Sequence, residues 1–161
     1  MTIEPTLSAA EQCLAIEQIK RTFAARLRCM DNKEWHVYPT LHTDDVVSST
    51  FGDHDVVGAD AVTASIKRVL DGRVPITSVH HGHTPEIELT SDTTARGIWA
   101  MEDKLWWTNG DQEEHLHGYG HYHEEYRLEN GRWLISRRAL TRLRVDTTPR
   151  FYECREPTSQ G

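Results

Sequence analysis

Cysteine is scarce in this chain: Cys13, Cys29 and Cys154 are odd in number, far apart and outside any C-x-x-C pattern. Neither a disulfide framework nor a cysteine zinc site is indicated. Long apolar runs are also missing, since uninterrupted hydrophobic stretches extend only a few residues against the roughly 20 that a membrane span requires. The N-terminal stretch MTIEPTLSAAEQ carries no basic cluster followed by an apolar run, so no secretory signal is read and a cytoplasmic location is expected. Positive charge is in deficit, with 18 Lys and Arg against 25 Asp and Glu and a formal charge of -7. Nucleic-acid binding depends on clustered cations, so no nucleic-acid partner and no membrane partner is expected. The basic residues cluster once, in Arg132, Arg137, Arg138, Arg142 and Arg144, and a strand distributes such residues over two faces.

What is present suits a globular protein. Hydrophobic residues make up 37% of the 161, five of them Trp. A chain of this length reads as one domain able to bury roughly two-thirds of its surface. Ser8-Ala9-Ala10-Glu11 is a capping box, and after it Ile16, Ile19, Phe23 and Leu27 recur at helical spacing. This long helix should end near Asp31-Asn32, followed by a short helix over 34–41 broken by Pro39. Asp45 to Phe51 is strand-like and Gly52-Asp53 a turn; Asp60 can then cap a helix with Val62, Ile66, Val69 and Leu70 on one face.

From Ile76 onward four extended segments follow, about 76–90, 93–108, 114–129 and 132–147, divided by Ser91-Asp92, Asn109-Gly110 and Asn130-Gly131. Asn-Gly pairs are strong hairpin signals, so these segments form an antiparallel meander. Helices first and a curled sheet afterwards predict an α+β domain, 1–161, in which about three N-terminal helices cover one sheet face and leave a pocket. The core should span about 9–147, with residues 1–7 and about 149–161 frayed.

Ten histidines are the unusual feature. In SVHHGHTPEIEL (Ser78 to Leu89), His80, His81 and His83 suit three roles: metal ligands, acid–base groups, or polar residues at a strand's start. Alternation separates them, sending His81 and His83 to one face and His80 with Gly82 to the other. In HLHGYGHYHEEYRL, His117, Tyr119, His121 and His123 share a face and form either a pocket floor or a solvent-facing row. The spacings His81-x-His83 with Glu86, and His121-x-His123, admit a metal-dependent enzyme, but no H-E-x-x-H or cysteine ligand accompanies them, so no metal or other cofactor is expected. Acid–base chemistry needs one imidazole as base and one carboxylate to hold its tautomer. Asp31, at the helix end, is a candidate for the carboxylate. Trp99, Met101 and Phe51 are candidate apolar walls.

The segments LRCMDNKEW, SVHHGHTPEIEL, GIWAMED and GYGHYHEEYRLENGRWLISRRALTRLRVD together resemble the SnoaL-like branch of the nuclear-transport-factor-2-like superfamily, over roughly residues 9–147. The resemblance implies a cone-shaped α+β barrel of curved antiparallel sheet covered by helices, and a homo-oligomer, dimer or trimer. Scytalone dehydratase, bile-acid 7α-dehydratase and hexachlorocyclohexane dehydrochlorinase in that superfamily use an Asp-His pair, which falls here on Asp31 and His80. Pocket cations of the dehydrochlorinase fall at Arg26 and Arg138, and the bile-acid enzyme's extra pocket aspartate near Asp103. The dehydratases' tyrosines have no clear match near Arg26 and Thr50. These features imply a cofactor-independent lyase, dehydratase or isomerase acting on a small cyclic, largely apolar substrate, with His80 as base, Asp31 as its partner, and Arg138, Tyr119, His117 and His121 as candidate donors. Other members of the fold imply alternatives: a non-catalytic ligand-binding or oxygenase-associated subunit, or a polyketide cyclase-like enzyme.

Overall fold

The first helix, α1 (Ala9–Asp31), starts where the capping box predicts: the Ser8 hydroxyl accepts from the Glu11 N–H, and the Glu11 carboxylate accepts from the Ser8 N–H at 2.9 Å. The structure is a computed structural model and describes residues 5–50 and 54–155. Ile19, Phe23, Leu27 and Met30 form the buried stripe of α1. The helix stops through a pair of C-terminal bonds, Lys33 N–H to Met30 O and Glu34 N–H to Cys29 O, with Lys33 in the left-handed region at φ 59°. This closure makes Asp31 the last helical residue.

The expected short helix over 34–41 reduces to a 3-10 turn, Tyr38–Leu41, because Pro39 lacks the N–H and restricts the residue before it. Strands β1 (His42–Ser49) and β2 (Val56–Val57) then lead into α2 (Ala59–Leu70). The cap of α2 is Gly58 at φ 101° and not Asp60, which lies inside the first turn where a negative charge suits the helix dipole. Among the described residues, two α-helices and one 3-10 turn therefore stand where about three N-terminal helices were expected.

Strands β3 (Thr77–Leu89), β4 (Thr94–Asn109), β5 (Gln112–Glu129) and β6 (Arg132–Thr147) form the expected meander. The two Asn-Gly turns differ. Asn130 and Gly131 both have positive φ, as a type I′ hairpin demands, whereas Asn109 still pairs with Gln112 and leaves Gly110-Asp111 as the loop. Strand order is β2-β1-β6-β5-β4-β3, an unclosed sheet in which β1 runs parallel to β6 and every other pair is antiparallel. That parallel seam is invisible to local pattern, since it joins segments at opposite ends of the chain.

Helix α1 packs across the inner face against β3 and β6. The stretch from 149 is not frayed through residue 155. Phe151–Cys154 makes a 3-10 turn, with Phe151 2% exposed and its carbonyl accepting from the Trp107 indole at 2.9 Å. Thr6 likewise binds Asp92 through its N–H and hydroxyl. No helix among the described residues is long and apolar enough to cross a membrane.

Candidate active site

Asp31 ends α1 beside the edge strand β3, and alternation turns Ser78, His80 and Gly82 of that strand toward it. The His80 ring Nδ1 lies 2.6 Å from Asp31 Oδ1. A carboxylate can only accept here, so Nδ1–H donates and the lone pair is left on Nε2. Two further donors grip the carboxylate: the His80 backbone N–H to Oδ2 at 3.0 Å and the Ser78 hydroxyl to Oδ1 at 2.9 Å. Burial raises the Asp31 pKa, but the combined contacts of His80 and Ser78 outweigh it and hold the carboxyl below its ordinary value. The His80 side chain is 7% exposed.

A cavity of about 680 Å³ opens over this pair, walled by Phe23, Ala24, Leu27, Gly82 and Trp99, with Lys20, Arg28 and Asn32 also lining it. Phe23 stacks on Trp99 at 3.7 Å with the rings 2° from parallel. The stack is possible because residue 82 is glycine: a Cβ there would stand 2.2 Å from Phe23 Cε1. Lys20, Arg28 and Asn32 escaped sequence reasoning; their signal is their spacing along α1 beside Asp31.

Trp99 shares the cavity with Asp31 and His80. Met101 is buried on the inner face without lining that cavity. Arg26, fully buried, is paired with Glu124 at 2.6 Å, and its guanidinium carbon is 5.0 Å from both the Phe23 and Tyr122 rings. Tyr126 bridges Trp99 to Glu124, accepting from the indole at 3.1 Å and donating to the carboxylate at 2.9 Å. Arg138 is also buried and donates to the Tyr38 hydroxyl at 2.6 Å. Among the described residues, Arg26 Nε and Nη1 and Arg138 Nε find no hydrogen-bond partner. Asp103 faces inward but is taken by Arg142 in a two-bond pair at 2.9 and 2.7 Å, a partner that sequence reasoning missed. Phe51 lies outside the described residues.

The pocket floor requires correction. His117, Tyr119 and His121 pair with Lys104, Glu102 and Ala100, on the face of the sheet that points away from α1. The inner face of β5 is the other line, Gly118, Gly120, Tyr122, Glu124 and Tyr126. Crowding explains the choice, because a Cβ at Gly118 would meet both Arg142 and Asp103 at 2.0 Å or less.

The SnoaL-like domain model matches residues 11–139. The chain belongs to the SnoaL-like domain family. Solved structures agree on the fold. A scytalone dehydratase-like protein of Novosphingobium aromaticivorans superposes with a TM-score of 0.76 at 19% identity, covering 86% of this chain and 91% of that one. A type 2 hexachlorocyclohexane dehydrochlorinase gives 0.77 at 16% identity over 88% and 93%. The type 3 enzyme of Novosphingobium barchaimii gives 0.76 at 15% over 88% and 95%. At these identities the likeness concerns architecture, and the present SnoaL-like chain shares their α+β cone.

Proposed function

We propose that this SnoaL-like protein is a cofactor-independent lyase or isomerase in which His80 removes a proton from a small cyclic, largely apolar substrate and Asp31 orients and charges the imidazole. The single observation that carries the reading is the 2.6 Å contact between Nδ1 of His80 and Asp31, at the wall of an apolar cavity. With Nδ1–H committed to the carboxylate, Nε2 is the basic atom. The substrate C–H proton passes to Nε2, and the C–H electron pair forms a new double bond. In a lyase, hydroxide or halide departs with its own bonding pair; in an isomerase, an adjacent double bond of the substrate shifts and its π pair takes the same proton back from Nε2 at another carbon. Asp31 stays ionised and offsets the positive charge that appears on the ring.

Aromatic and aliphatic walls from Phe23, Leu27 and Trp99 favour an apolar ring over a sugar or a nucleotide. The named activities of the two neighbour types, a dehydratase and a dehydrochlorinase, fall in the same reaction class and add support. The test is turnover of a panel of cyclic hydroxyketones and halogenated rings, scytalone and hexachlorocyclohexane included. On whichever compound reacts, His80→Ala and Asp31→Asn should each lower kcat by about 10²- to 10⁴-fold with the folded circular-dichroism spectrum retained. Unchanged turnover in either purified variant would reject the pair.

A further inference from the structure

The sheet face opposite α1 carries a second group of chemistry-bearing side chains. His81 and His83 project from β3 there, and Glu102 of β4 stands directly opposite His81 in the strand register. His81 Nδ1 lies 3.9 Å from Glu102 Oε2, and His83 Nε2 lies 3.7 Å from the same oxygen. One ligand atom from each of the three falls within 4.8 Å of the others. We propose that His81, His83 and Glu102 form a binding site for a borderline divalent transition-metal ion of the Zn²⁺ class on the outer face of the sheet, next to the Asp31–His80 pair, since His81 also borders the cavity over that pair.

Three arguments carry this. Donor type comes first: two imidazoles and one carboxylate are a set that suits Zn²⁺ and its neighbours and is poor for Mg²⁺ or Ca²⁺, which prefer oxygen. Distance is the second. Ligand atoms on a tetrahedral zinc ion stand roughly 3.3 Å apart, and the 3.9 and 3.7 Å separations of the two imidazoles from Glu102 come near that value. Rigidity is the third. The two histidines sit on a paired strand, and the irregularity that follows, between His83 and Glu86 with Thr84 at φ 38°, ends the regular run just beyond the second ligand. It also switches the strand's parity, so Glu86 pairs with Ile98 on the same outer face but beyond the three-residue group.

Exposure fits an open site. The His81 and His83 side chains are 50% and 53% exposed, so binding an ion costs little desolvation and leaves a coordination position for water. Glu102 keeps its other oxygen on Lys104 Nζ at 3.0 Å, which holds the carboxylate ionised and oriented. His121 and His123 share this face but fall outside the three-residue group, so they serve as controls.

Isothermal calorimetry with ZnCl₂ on chelator-stripped, tag-free protein tests the site, with Co²⁺ absorption as a second readout of ligand field. The wild type should bind one ion at this site. His81→Ala, His83→Ala and Glu102→Gln should each weaken binding by about tenfold or more, while His121→Ala keeps wild-type affinity. Circular dichroism confirms that each variant is folded. No Zn²⁺ uptake by the wild type, wild-type affinity in the His81→Ala/His83→Ala double variant, or an equal loss in His121→Ala would each overturn the assignment. None of these readouts depends on proton-abstraction activity, so the failure of one proposal does not imply failure of the other.

Discussion

Two inner residues, His42 and Asp31, contribute to this protein's response to acid in different pH windows. His42 Nδ1 faces the Tyr38 carbonyl at 2.9 Å and must donate to it, which leaves Nε2 bare, buried and without a partner among the described residues. Burial, reinforced by the nearby Arg138 and Arg26 charges, brings its pKa down from 6.5 to about 3. A folded-state pKa below the unfolded one means that the unfolded chain binds the extra proton first, so stability falls as pH drops from 6.5 toward 3. At pH 5 the loss from this group is about 2 kcal/mol. Urea denaturation at pH 7 and pH 5 should show that difference in the wild type and lose most of it in His42→Asn, whose amide still donates to Tyr38. Asp31 acts in a lower window. Its depressed pKa gives stability that is intact at neutral pH and is lost only as pH falls below the ordinary aspartate value of about 3.9 and through the folded one. Measurement at pH 5 therefore reports His42 alone of the two. Much at this scale is legible without coordinates: alternation separates His80 from His81 and His83, and two poor helix formers end α1 at Asp31. His42, Arg142 and Glu102 are not legible, because their significance comes from partners on other elements.

At the scale of elements, the close approach of α1 to β3 rests on one missing methyl. Gly82→Ala would drive a Cβ into Phe23, and Phe23 cannot retreat because Trp99 is stacked against it. Overpacking of this kind costs about 1–3 kcal/mol. A urea midpoint series should show that loss, and Phe23→Leu in the Gly82→Ala background should cost less than it does in the wild type. No such coupling would mean that the helix shifts freely. Periodicity found β3 to β6 nearly to the residue, and it sorted each strand into two faces. It could not say which face meets the helices. On β5 the polar aromatic row looks suited to a pocket, yet the line of glycines, Tyr122 and Glu124 is the one that admits a close-packed helix and its arginine. Strand β3 misleads more subtly. Its irregularity after His83 switches parity, so Ser78, His80 and Gly82 face inward on even positions while Ile87 and Leu89 do so on odd ones.

For the whole molecule, the candidate site exists only because α1 is docked in one register on the sheet. Asp31 and His80 are 49 positions apart, and no local signal joins them; the family resemblance supplied the pairing, and the packed helix supplies the geometry. Part of that docking is polar. Arg26 of α1 reaches Glu124 of β5, with both side chains fully buried, and Tyr126 and Trp99 continue the bonded line across the inner face. Removing one partner from a buried ion pair leaves an uncompensated charge and costs about 3–5 kcal/mol, more than the pair itself contributes over an apolar substitute. Glu124→Gln should accordingly lower the unfolding free energy by that amount in urea denaturation, while the double variant Arg26→Met/Glu124→Gln, which removes the stranded guanidinium, regains a large part of it. Since Asp31 rides on the same helix, Glu124→Gln should also lower turnover per folded molecule, although Glu124 touches neither Asp31 nor His80. A loss below about 1 kcal/mol in Glu124→Gln, the range of exposed pairs, would show that water reaches Arg26 and that the apolar stack of Phe23 on Trp99 alone fixes the register.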